Sequence, residues 1–332
     1  MNDFTWPDGF ERVPAEPWTR EPVETLALKY DTVEQHGWYD NLDPTVESVA
    51  GHAQDGAIVM DYSGGTGIFT HRLLERLDGR PVGVVIVDSS PKFLRLALDK
   101  LGDDPRVAFR LIRYLKPERR LQLVQEVFEP SMLERGFDAV VSTNAIHLYY
   151  DLRETLGSWR RALAPGGRVF VQSGNIRNSA ADESWWIIDE TVEHIHRAAM
   201  KRVRADERWR HLRPFLDDPE HLAAHDALRR KIFLPVRPLS HYRLQLEEAG
   251  FEVAAVEHRP VPAAVSEWYE FLAVYHEGVL GWVGGAEKVT GRPAPEAVVA
   301  DRLALLREAM EQVFGGADTF TACWTYLTCD PR

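Results

Sequence analysis

Residues 58–70 read Ile58-Val59-Met60-Asp61-Tyr62-Ser63-Gly64-Gly65-Thr66-Gly67-Ile68-Phe69-Thr70. An apolar run leads into a loop of small residues, and the loop opens an amphipathic segment whose Leu73, Leu74 and Leu77 share one helical face. Strand, glycine loop, helix is the implied order. Glycines let the backbone turn sharply and let a ligand come close. The helix N-terminus then presents free N–H groups to that ligand. A dinucleotide fingerprint would need G-x-G-x-x-G. Here Gly65 and Gly67 are followed by Thr70, so the third glycine is missing. An acid, Asp61, closes the strand instead. It would repel a pyrophosphate and suits a cationic group such as an amino-acid ammonium.

The alternation continues on both sides of this segment. Short apolar runs at 57–61, 82–87, 107–112, 137–142 and 168–173 read as strands. Amphipathic stretches at 67–77, 91–101, 117–134 and 152–164 read as the helices between them. Strands that are apolar throughout imply a parallel sheet covered on both faces, with its ligand crevice at the carboxyl ends of the strands. After residue 175 the rhythm breaks into a helical stretch over 176–240, rich in Trp, His and Arg. A helix over 241–251 and a strand over 251–257 follow, then helices over 265–283 and 295–314, and a last strand over 320–328. Further helices are predicted at 22–36 and 43–53. The fold class is therefore α/β, a doubly wound, mostly parallel seven-stranded sheet with helical cap insertions. Its parts are an arm with cap helices (1–50), the α/β core (51–175), a helical insert (176–240), and the end of the sheet (241–332) with a second insert at about 264–318.

The second acid is Asp88, closing the run Val84-Val85-Ile86-Val87. An acid about 20 residues beyond a glycine loop is placed to accept from ribose hydroxyls. The loop and the two acids together describe a site for a nucleoside with a zwitterionic tail.

These residues resemble the first motif of class I S-adenosylmethionine-dependent methyltransferases, D-x-G-x-G-x-G, with Ser63 in place of the first glycine. FDAVVSTNAIHLYYD (137–151) resembles the family's fourth-strand motif. LGSWRRALAPGGRVFV (156–171) resembles its next helix, turn and fifth strand, and LQLEEAGFEV (244–253) the entry to strand six. The resemblance covers roughly residues 45–175 and 240–260. It implies S-adenosyl-L-methionine as cofactor. Asp61 would lie near the methionine amino group, Ser63, Gly64, Gly65 and Gly67 against the methionine and ribose, Asp88 on the ribose diol and Ser89 beside the adenine. Asn144 and Ala145 would contact the methionine part. Two departures stand out. Ser63 adds a side chain, which is tolerable if its backbone dihedrals stay ordinary. The acid often found after strand three is replaced by Arg113, followed by Tyr114. Arginine cannot accept from the adenine amine. That leaves a backbone carbonyl for the amine, or an Arg113 that stacks on the ring or serves an acidic acceptor.

A sulfonium methyl is already activated, so the protein's task is positioning. His147, after strand four, is the candidate general base where the acceptor needs one. Its alternative is a structural role in the loop. Tyr39, Trp38, Trp185 and Trp186 are aromatic candidates for the acceptor side, and His194 joins them from the insert. His194 and His196 are two apart on one helix, so at most one faces the cleft. No spacing among the histidines makes a metal site.

Composition bounds the rest. The 332 residues are 45% hydrophobic and carry a net charge of −12, which argues against nucleic acid as the main partner. Residues 197–243 run against that balance, with twelve Lys/Arg and six Asp/Glu. They read either as a solvated helical face or as a positive wall facing an anionic acceptor. The acidic, Pro-rich N-terminus is no secretory signal, two cysteines make no disulfide framework, and no apolar run is long enough for a membrane. The expectation is a cytoplasmic enzyme methylating a small molecule, O-, C- or N-linked, anionic or aromatic. A homodimer is implied by the family alone. A regulatory protein that binds the cofactor without transfer, and RNA or protein methylation, are the alternatives.

Overall fold

Strands with no polar face must be buried on both sides, and the two strands flanking the glycine loop are buried at every position. The computed structural model describes residues 4–22, 36–149 and 151–332. The sheet strands are β1 (Ile58–Tyr62), β2 (Gly83–Asp88), β3 (Val107–Leu111), β4 (Phe137–Thr143), β5 (Leu163–Ser173), β6 (Phe251–Ala264) and β7 (Thr319–Pro331). They form one seven-stranded sheet in the order β6-β7-β5-β4-β1-β2-β3. Pairing is parallel from β3 to β5, and β7 runs antiparallel to both β5 and β6. The chain winds from β1 outward through β2 to β3, then returns to lay β4 on the other side of β1. The switch point between β1 and β4 is where the crevice opens.

One face of the sheet carries α1 (Asp43–His52), α2 (Ile68–Leu77) and α3 (Pro91–Leu101); the other carries α4 (Pro130–Arg135), α5 (Leu152–Ala162) and, later, α9 (Leu239–Glu248). Local chemistry sets the helix starts. Ser90 caps α3 by accepting from Phe93 N, with Pro91 at the first turn, and Asp151 caps α5 by accepting from Glu154 N. The long connections hold α6 (Ile188–Ala205), α7 (Arg213–Leu216) and α8 (Pro219–Ile232), then α10 (Val265–Val274), α11 (His276–Leu280), α12 (Glu287–Thr290) and α13 (Glu296–Val313). These join one another through buried polar contacts. Trp268 Nε1 donates to Thr191 Oγ1, and Arg302 donates to the Val283 and Gly285 carbonyls. Among the described residues no helix is long and apolar enough to cross a membrane.

The segment 117–134 is not a helix. It forms a two-strand pair (Tyr114–Leu115 with Arg120–Leu121), a 3-10 turn at Val124–Glu126, and only the short α4. Pro130 starts α4 rather than interrupting a longer helix, and Arg119 takes a positive φ of 56°, which breaks any helix through it. β6 runs to Ala264 rather than ending at Glu257, paired with β7 along its whole length. It is an edge strand, so Pro260 and Pro262 cost no ladder bond on the free side. Of the helix expected over 22–36, residues 23–35 lie outside the described residues, as does the Trp38 side chain.

Candidate functional site

The loop leaving β1 is held by the strand beside it. Ser63 N and Gly64 N both donate to the Val87 carbonyl (2.7 and 3.1 Å), and Gly65 N donates to Asp88 Oδ2 at 3.0 Å. Ser63, Gly65 and Gly67 all take left-handed φ, at 63°, 57° and 83°. For the glycines this is free. For Ser63 it costs on the order of 1 kcal/mol, so its dihedrals are not ordinary, contrary to the expectation. The bond from Ser63 N to the Val87 carbonyl holds the turn in that conformation. Gly64 is needed for space. A Cβ there would stand 2.6 Å from Asp61 Oδ2.

Asp61 lies wholly buried at the end of β1. Its Oδ2 accepts from Thr70 Oγ1 at 2.7 Å, while Oδ1 has no partner among the described residues. Burial pushes its carboxyl up to about 7, with the charge of Asp88 adding to the effect. Asp88 accepts from Ser90 N at 2.7 Å as well as from Gly65 N. Burial raises its carboxyl, and those backbone donors oppose the rise. Each of its oxygens keeps a second lone pair for a ligand hydroxyl.

A cavity of about 500 Å³ opens over this loop. Its floor is Ser63, Gly64, Gly65 and Asp88, with Ser89 and Tyr114 on one side and Asn144 and Ala145 on the other. Asn144, at φ 50°, donates its N–H to the Gln172 carbonyl and accepts from Gly174 N, which ties the ends of β4 and β5 together. Tyr39 closes the top from a 3-10 turn at Gly37–Leu42. The residue types fit S-adenosylmethionine. The buried, partnerless Asp61 oxygen suits an ammonium group, Asp88 suits a ribose diol, and the Gly64 cradle admits close approach.

Other expected residues lie elsewhere. Gly67 is the helix cap and packs against Leu101 rather than the cavity. The Arg113 guanidinium pairs with Glu16 at 2.7 Å, on the N-terminal arm, its backbone N–H donates to Gln122 Oε1, and it does not line the cavity. Trp186 packs against His194 (5.1 Å) and Phe314 (5.8 Å) beside β7, and neither it, Trp185 nor His194 lines the cavity. His196 is buried and bonded to the Val279 carbonyl, so neither histidine of that pair faces the crevice.

His147 sits behind the wall rather than in it. The amide of Asn175 is oriented by Asp189 N donating to its Oδ1, so Asn175 Nδ2 donates to His147 Nε2 at 3.1 Å. Nδ1 then carries the ring proton, toward Ser173 Oγ at 3.4 Å. Burial holds the imidazole down to about 4. The ring is neutral and its lone pair is engaged.

Sequence reasoning missed Thr70, Asn41, Phe93, Leu148, Tyr149 and Trp324. Trp324 is buried but also lines the cavity. Tyr149 had a signal, since it lies in the fourth-strand motif. Asn41 and Trp324 had none, because only the tertiary fold brings them to β1.

Residues 60–169 match the methyltransferase-domain family. The chain is 26% identical over 160 residues to malonyl-[acyl-carrier protein] O-methyltransferase 1 of Ilyobacter polytropus, covering 41% of this chain and 58% of that one. It is 30% identical over 116 residues to the hybrid PKS-NRPS synthetase apdA of Emericella nidulans, covering 35% of this chain and 3% of that one. The chain thus spans from 3% to 58% of the length of these relatives. The solved structure of the YcgJ protein from Bacillus subtilis shares the fold, with a TM-score of 0.51 at 14% identity over 89% of this chain and 99% of that one.

Proposed function

We propose, on the premise that the chain carries a class I S-adenosylmethionine-dependent methyltransferase domain, that it transfers a methyl group to a small-molecule acceptor. The observation that carries this is the cavity at the β1–β4 switch point, floored by the glycine loop and Asp88 with Asp61 beneath. S-adenosylmethionine supplies a sulfonium methyl that needs no further activation. Asp88 would accept from the ribose hydroxyls, Asp61 would balance the ammonium charge, and the main chain at Asn144 and Ala145 would hold the methionine part. Tyr39 and Trp324 would exclude water from above. The division into a core at 51–175 with helical inserts at 176–240 and about 264–318 belongs to the same reading.

Calorimetry with S-adenosylhomocysteine is expected to show one site per chain with micromolar or tighter affinity. A folded protein that binds neither this ligand nor S-adenosylmethionine would refute the reading.

Within it, His147 holds the loop after β4 and does not take the acceptor's proton. His147→Ala is therefore expected to lower the melting temperature by a few degrees, through loss of its bonds to Asn175 and Ser173. Once an acceptor is in hand, kcat should stay within about tenfold of the parent, since a general base is worth on the order of 100-fold or more. A larger loss in kcat, with the same Tm, would assign the proton transfer to His147 instead.

A further inference from the structure

We infer that the methyl acceptor is uncharged and apolar around its reacting atom, and that carboxylates and phosphates are rejected. This rests on the proposed function and narrows its substrate class. Among the described residues lining the cavity there is no Lys, Arg or His, and Asp88 is the one charged group. Away from the residues assigned to the cofactor the lining is mainly aliphatic and aromatic, Tyr39, Leu42, Leu148 and Trp324 among them, and its polar groups, such as the Asn41 amide and the hydroxyls of Thr66, Ser90 and Thr143, are uncharged.

Three arginines outside the lining are held in ion pairs. Arg113 pairs with Glu16, Arg177 with Glu190 and Arg259 with Glu257. Arg197, Lys201 and Arg204, from the basic stretch, line a separate exposed groove on α6. An anion entering the crevice would lose its water and meet Asp88, with Asp61 behind, and no compensating charge from the side chains that line it.

The rim gives an independent indication. Tyr114 and Leu148 are 51% and 47% exposed, among the few large apolar side chains at the surface, and both line this cavity. Apolar side chains of the lining therefore reach solvent at the mouth, where they offer contact to an apolar ligand.

Apart from Asp88, which is assigned to the ribose diol, no lining side chain is a carboxylate or imidazole that could take a proton, and His147, outside the lining, is turned to Asn175. The acceptor's own lone pair thus forms the bond to the methyl carbon as the carbon–sulfur bond breaks and its electron pair returns to sulfur. Any proton on the acceptor atom then leaves to water.

The test uses the full chain saturated with S-adenosylhomocysteine and two probes of one ring system, indole and indole-5-carboxylate, with Kd read by ligand-observed NMR titration. Indole is expected to bind at least tenfold more tightly. Leu148→Arg, at an exposed position that tolerates the change, should narrow the gap at least fivefold by strengthening carboxylate binding. Equal or tighter carboxylate binding to the parent protein, no detectable indole binding, or a gap unchanged by Leu148→Arg would overturn the inference. Failure of S-adenosylhomocysteine itself to bind would overturn the proposed function first, and is measured separately.

Discussion

Asp88→Ala is expected to reduce affinity for S-adenosylhomocysteine by at least 100-fold. Two hydroxyl donors on one buried carboxylate are worth about 1.5–3 kcal/mol each, and each 1.4 kcal/mol is about tenfold in Kd. The same carboxylate also fixes its own surroundings. It accepts from Gly65 N and Ser90 N, so alanine frees the turn that presents the glycines. Asp88→Asn separates the two roles. The amide keeps one oxygen for the loop but offers only one acceptor and no charge, so a loss of roughly 10- to 100-fold is expected. Calorimetry on both variants, beside a thermal melt of each, makes the comparison. Affinities within threefold of the parent at unchanged Tm would take Asp88 out of the site.

Most of the site that could be read from the sequence lies at strand ends: the glycine loop after β1, Asp88 and Ser89 at the end of β2, and Asn144 and Ala145 after β4. Asp61, the glycines and Asp88 lie at ends of strands that neighbour one another, and their spacing alone places them together. The sheet was legible for a related reason. Unbroken apolar runs such as Val84–Val87 have one home, a strand covered on both faces. The opposite wall of the crevice has no such signal. Asn41 arrives from a 3-10 turn, accepts at its side-chain oxygen from Gln172 of β5, and has its carbonyl bonded by the Tyr326 hydroxyl of β7. Three distant segments meet there, and nothing local announces it. The Trp185–Trp186 pair misled for the converse reason. Aromatic side chains in an insert could face the cleft or a neighbouring helix, and Trp186 found Phe314.

The basic stretch shows the same limit in its charges. Much of what looks like a positive field from 197 to 243 is spent on internal pairs. Arg202 and Arg208 share Glu308, and Arg229 is held by Glu193 and Asp226. The acid that neutralises two of these cations lies about a hundred residues away, so a count over a window of sequence overstates the field. Ser63 is a departure of another kind. Its substitution is visible in the sequence, but that it accepts a left-handed φ depends on the neighbouring strand, whose Val87 carbonyl holds Ser63 N and which only the fold brings within reach.

Asp61→Asn is expected to stabilise the protein at alkaline pH and weaken cofactor binding at the same time. In the folded chain Asp61 holds its proton up to about pH 7, while an unfolded aspartate gives it up near 3.8. Its contribution to stability is complete below pH 3.8 and is lost as the pH climbs through 7. A shift of that size corresponds to on the order of 4 kcal/mol. Asparagine mimics the protonated form, so parent and variant should melt alike below about pH 4, diverge progressively as the pH rises to 7, and differ by several degrees at pH 8. Binding should move oppositely. An ammonium beside the carboxyl favours its charged form, so the parent's affinity should fall toward tenfold per pH unit below 7. Asp88, whose carboxyl is also raised, contributes a slope that both proteins share. The variant should lose the Asp61 part of the slope and bind at least tenfold more weakly at pH 8. A parent whose affinity is flat between pH 5 and 7, or a variant that binds like the parent at pH 8, would mean that the partnerless oxygen of Asp61 serves the fold and not the ligand.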